Sequence, residues 1–244
     1  GVEGKFFVWT PGEIAQVVGE AAAPLVCAAY GVTPEGNFEH GASVLHRPQT
    51  EAELARQFNL TPEQVRETLA RARSQLLAAR EERVRPHRDE KIITAWNGLM
   101  IAAMAAGAQV LGREDYHRAA GRAAAYILDR AEQAGGLKRT WGASPKPGRA
   151  FLDDYAFCIN ALLDLYETDF SLKWLKAALS LAGEVERLFY DQEAGGYFST
   201  PADHEKLLVR PKNFQDLALP SGNSVMMHNL IRLHRFTENP DYLR

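Results

Sequence analysis

The chain has 244 residues, with 28 Lys and Arg against 31 Asp and Glu for a formal net charge of −3, and it is 46% hydrophobic and 24% charged. That composition excludes disordered, collagen-like and disulfide-scaffold classes, and the near-neutral balance argues against a nucleic-acid module, which carries a basic surplus or a basic face. Cys27 and Cys158 lie in apolar stretches and form no CxxC pair, so they read as buried thiols. With no apolar run of about 18 residues and no signal-peptide pattern, the expectation is a cytoplasmic protein with no membrane partner.

The opening GVEGKFFVWT reads as the inside of a sheet or hairpin, and a start at Gly1 suggests a fragment. Three Thr-x-x-Glu/Gln capping boxes then mark helix starts: Thr10 with Glu13, Thr50 with Glu53, and Thr61 with Gln64. Pro11 and Pro62 follow two of them at the first helical position, where a missing N–H costs nothing. From Pro62, the residues Val65, Leu69, Ala72, Leu76 and Ala79 recur every three or four positions among charges, which predicts an amphipathic helix. The run Arg85-Pro86-His87-Arg88-Asp89-Glu90-Lys91 reads either as a solvated linker or as a segment that folds its polar groups over a nearby site.

Downstream the pattern alternates. Ala95–Leu111 holds no charge and predicts a helix buried all round, whereas Arg113–Glu132 is heavily charged. Tyr155–Leu163 is uncharged and Ser171–Tyr190 is charged, and Leu217–Ile231 is uncharged again. Both complete charged helices end in Gly-Gly-apolar turns, Gly135-Gly136-Leu137 and Gly195-Gly196-Tyr197, each leading to a short extended piece. Repeating helical hairpins with an uncharged inner and a charged outer member predict an all-α fold, an (α/α) toroid with short β-hairpins in its connections. The chain 1–244 is therefore expected to form one incomplete toroid domain. Residues 1–50 supply an opening hairpin and first helix, 51–92 amphipathic helices and a charged linker, and 93–244 the inner and outer repeats. The last repeat is cut at Asp241-Tyr242, which leaves apolar end repeats open to dimerisation.

Inner helices of a ring run the same way, so what precedes them gathers at one mouth. The three lead-ins are Thr94-Ala95-Trp96-Asn97, Phe151-Leu152-Asp153-Asp154-Tyr155 and Leu219-Pro220-Ser221-Gly222-Asn223. Each mixes a flat or small residue with hydrogen-bonding groups, as a sugar- or polyol-binding mouth requires. Asp153 and Asp154 are candidate acid and base, with the competing reading of Asp153 as a helix cap and Asp154 as a first-turn carboxylate on the helix dipole. His87 and Asp89 form a second candidate pair. Trp96 and Tyr155 are candidates for stacking on substrate, and Asn97, Ser221, Gly222 and Asn223 for contacting hydroxyls, Ser221 having a capping alternative. His228 is expected to be a satisfied core histidine. No dinucleotide, phosphate-loop, metalloprotease or hydrolase motif occurs and no Cys/His spacing suits a metal, so neither cofactor nor metal is expected.

The strings EGKFFVWTPGEI, RPHRDEKIITAWNGLM, FLDDYAF and LPSGNS, in this order, resemble the YyaL / spermatogenesis-associated protein 20 family. The resemblance implies a thioredoxin-like domain before Gly1, a six-hairpin toroid similar to N-acylglucosamine 2-epimerases and glycosidases, and further hairpins after Arg244. It implies no assigned reaction. The leading expectation is a carbohydrate- or polyol-binding toroid with epimerase-like or glycoside-hydrolase-like activity. The alternative is a non-catalytic scaffold that positions the thioredoxin-like domain of the same chain.

Overall fold

The computed structural model describes residues 4–142, 148–205 and 208–243, and the chain separates into two compact units, Gly1–Arg88 and Asp89–Arg244. The first unit contains α1 (Pro11–Val18), α2 (Ala23–Tyr30), α3 (Glu51–Phe58) and α4 (Pro62–Glu81). All three capping boxes form. The Thr10 hydroxyl accepts from the Glu13 amide at 3.3 Å while the Glu13 carboxylate accepts from the Thr10 amide at 2.9 Å, and the other two pairs repeat the arrangement. On α4 the side chains Val65, Leu69, Ala72 and Leu76 are buried as their spacing predicts, against Trp9, Ile14, Val26 and Leu54. Burying each large aliphatic stabilises by roughly 1.5–3 kcal/mol, so this stripe fixes α4 to the unit. Cys27 is half-buried here.

The opening segment departs from the expected hairpin. Gly4, at φ +70°, starts a turn over Gly4–Phe7, and the extended pairing described there is a bridge between Trp9 and Ser43; residues 1–3 lie outside the described residues.

The second unit contains α5 (Thr94–Leu111), α6 (Glu114–Gln133), α7 (Leu152–Asp169), α8 (Leu172–Phe189) and α9 (Gly222–Thr237). α7 packs against α5, α6, α8 and α9, and α5 also packs against α6. The helices α5, α7 and α9, which carry the uncharged runs, thus adjoin in one row, and the amphipathic α6 and α8 back them. Gly98 sets the closest approach in that row: a Cβ there would sit 2.7 Å from the Phe157 carbonyl carbon, so α5 and α7 meet backbone to backbone. After the first Gly-Gly turn, β2 (Thr140–Trp141) pairs antiparallel with β1 (Ile92–Ile93), the lead-in to α5, and a Tyr190–Tyr197 bridge spans the second turn. Pro240–Leu243 forms a 3₁₀ turn where the third outer helix is expected to start.

One expectation fails on α5. Absence of charge predicts burial all round, yet Trp96, Met100, Val110 and Leu111 are exposed, because α6 and α7 cover only part of the circumference within this unit. α7, with helices on several sides, is the member that is buried nearly all round, and Cys158 lies within it.

Candidate functional site

The N-termini of α5, α7 and α9 converge on the Asp153-Asp154 pair. Phe151 rather than Asp153 caps α7, which puts the two acids at the second and third helical positions. The Asp154 carboxylate accepts from the Ala95 amide at 3.0 Å, at the start of α5, from the Phe151 amide at 2.9 Å, and from the Arg139 guanidinium at 3.4 Å. It is fully buried, and desolvation lifts its pKa to about 6 against the help of those donors. Asp153 reaches solvent and turns the other way, toward the start of α9. Burial of part of its carboxyl raises its pKa, partly offset by Arg139 and the Gly222 amide. Gly222 is required for that approach, since a Cβ there would meet the Asp153 Oδ1 at 2.5 Å.

Several residues expected at the mouth tie helices together instead. Asp154 is walled off from any substrate. Tyr155 points toward α8, where its hydroxyl donates to Glu184 at 2.8 Å and its ring meets Phe189 edge-on, so it cannot stack on a ligand. Ser221 caps α9 by accepting from the Ser224 amide at 3.1 Å. Asn223 is buried, accepting from the Tyr197 amide and donating to the Tyr197 and Asn213 carbonyls, all at 2.8–2.9 Å. Asn97 donates to the Ile93 carbonyl one turn back. His87 lies one residue before the end of the first unit at Arg88, and Asp89 begins the second; both are exposed, and Asp89 accepts from the Lys91 amide and pairs with its ammonium.

Asp153, Phe157, Asn160 and Asp164 recur at helical spacing on one face of α7, and that face borders an open groove of about 260 Å³. Its floor is Leu99, Phe157, Pro220 and Val225; its polar groups are Asn160, Ser224 and His228. His228 is exposed here, not enclosed in the core as expected, because the buried side of α9 is the one carrying Met226, Asn229 and Leu233. Beyond the groove Arg232 is clamped by Asn160, Asp164 and Glu167 at 2.7–3.0 Å. Burial raises the Asp164 pKa, and Arg232 and His228 oppose the rise. Trp96, 59% exposed, stands one turn before Leu99 on α5, whereas Trp9, Trp141 and Trp174 are core. Among the described residues no three His, Cys, Asp or Glu side chains converge to hold a metal ion. The spacing of Phe157 and Asn160 after Asp153 was the available sequence signal for this groove.

No family model matches the chain. Human spermatogenesis-associated protein 20 is 36% identical over 99% of it. The chain is a homologue of spermatogenesis-associated protein 20. It spans 34% of that relative's length. Among solved structures, cellobiose 2-epimerase from Bacillus thermoamylovorans superposes with a TM-score of 0.52 and 19% identity, over 65% of this chain and 43% of the epimerase. An α-1,6-mannanase from Salegentibacter, crystallised with α-1,6-mannotriose as an inactive variant with two adjacent aspartates replaced by asparagine, superposes with a TM-score of 0.51 and 13% identity. It covers 96% of this chain and 67% of the mannanase. These likenesses place the fold in the (α/α) toroid class. Among the described residues no helix is long and apolar enough to cross a membrane.

Proposed function

We propose that the groove along α7 and α9 binds a monosaccharide-sized carbohydrate or polyol, with Asp153 as the carboxylate that exchanges a proton with it. The observation that carries this reading is a groove that combines an apolar floor, suited to sugar C–H faces, with Asn160, Ser224 and His228 at its rim, while the exposed Asp153, outside the groove lining, precedes Phe157 by one turn on α7. A volume of about 260 Å³ suits one ring rather than a long chain. A partly desolvated carboxylate holds its proton nearer to neutral pH, as a general acid must. The adjacent aspartates whose replacement accompanies inactivity in the mannanase support attention to this pair, and here only Asp153 reaches solvent.

A second reading rests on a different observation. Asp154, Ser221 and Asn223 direct their polar atoms to backbone groups, as in a domain built for rigidity, which favours a non-catalytic scaffold for a thioredoxin-like domain.

A thermal-shift screen of monosaccharides, disaccharides, amino sugars and uronic acids against the full-length protein separates the two. A ligand at 100 times its Kd adds about 2.7 kcal/mol of stability. Binding that weakens about tenfold in Ser224→Ala, with turnover lost in Asp153→Asn, supports the enzyme. Silence across the panel, or a shift equal in both variants, overturns the sugar site.

A further inference from the structure

The first unit contains a separate groove of about 390 Å³, lined by Arg47, Arg73, Arg80 and His46 over Tyr30 and Leu77. Arg73, Leu77 and Arg80 follow one another at helical spacing on α4, so two guanidiniums share a face with an exposed leucine between them. Among the described residues no carboxylate lines the groove. Among the described residues, neither Arg73 nor Arg80 has an acid within ion-pair distance; the nearby Glu81 pairs with Arg85, and Glu51 bridges Arg66 at 3.3 Å and Arg47 at 3.7 Å. Among the described residues the Arg73 guanidinium hydrogen-bonds the Tyr30 hydroxyl alone, at 3.5 Å, and the Arg80 guanidinium lies 5.7 Å from the Phe6 ring centre while its buried Nε has no acceptor. An N–H left unpaired away from water is costly and is satisfied by whatever acceptor arrives.

We propose that this groove binds a small organic oxyanion, a carboxylate or phosphate carried on an apolar body. A guanidinium presents a planar fork that matches both headgroups in two parallel hydrogen bonds. The Leu77 and Tyr30 side chains supply the apolar surface against which the ligand's body is buried. The charge and the floor act together, so neither a bare anion nor a neutral apolar molecule satisfies the site.

The test is calorimetric titration of the full-length protein with phenyl phosphate and with phenylacetate, using inorganic phosphate and benzyl alcohol as controls. Arg73→Gln and Leu77→Asp are the variants. Both positions are exposed, so melting followed by circular dichroism checks that the fold is kept. The expected result is saturable binding of one aromatic anion, its identity naming the preferred headgroup. That binding weakens at least tenfold in Arg73→Gln, disappears in Leu77→Asp, and falls as added salt shortens the screening length from about 30 Å to about 8 Å. Absence of saturable binding, an affinity in either variant equal to that of the wild type, or inorganic phosphate binding as tightly as phenyl phosphate overturns the proposal.

Discussion

Asp154 sits where a charge is costly and a hydrogen-bond acceptor is indispensable. Its folded-state pKa of about 6 lies above the ordinary 3.8, so between those values the folded protein holds the proton more tightly than the unfolded chain does. Stability therefore falls as pH rises through that window, by about 3 kcal/mol in total at roughly 1.4 kcal/mol per unit. Asp154→Asn removes this component. Urea titrations at pH 4 and pH 7 should find the stability advantage of the wild type over the variant smaller at pH 7 by up to that amount, and an unchanged difference would mean the carboxyl is not desolvated. Local chemistry of this kind was partly legible in the sequence. The three capping boxes involve partners three residues apart and formed as read. The assignment within Asp153-Asp154 was not legible, because which acid turns inward depends on the Ala95 amide, contributed by a helix 59 positions away in sequence.

At the scale of elements, α5 and α7 owe their contact to a missing side chain. A Cβ at position 98 would lie within 2.7–2.9 Å of Phe157 backbone and Cβ atoms, none of which can swing aside as a long side chain could. Gly98→Ala should destabilise the second unit by roughly 1–3 kcal/mol, although alanine favours a helix by about 1 kcal/mol over glycine. Thermal unfolding measures the sign, and a stabilised variant would show that the two helices are able to part cheaply. The alternation of uncharged and charged helices was legible because it follows from which helix is enclosed. Two things were not. α2 escaped because its apolar residues surround the helix and no polar cap opens it. His228 was assigned to the core because spacing alone does not say which side of α9 faces α7 and which faces the groove.

At the scale of the whole molecule, two hydrophobic cores stand apart in the chain: one is built from residues 9–76, the other from 95–233. Each has its own large buried side chains, Leu69 in the first and Phe157 in the second. Leu69→Ala should remove roughly 2–5 kcal/mol from the first unit. Hydrogen exchange should then show amides of α1–α4 losing protection while those of α5–α9 keep theirs; uniform loss across α1–α9 would mean that the two cores open as one. The division after Arg88 falls inside the charged run Arg85–Lys91, whose composition suits a solvated linker.

Each unit also contains one cysteine, Cys27 half-buried in the first and Cys158 buried in the second. Burial pushes both thiols up, Cys158 to about 12, so almost no thiolate exists in the closed state near neutral pH. The second unit therefore contains a built-in clock. With an alkylating reagent in excess, the labelling rate at Cys158 counts how often that unit opens, and peptide mapping reads the half-buried Cys27 beside it as the reference for a sulfur the reagent reaches without unfolding.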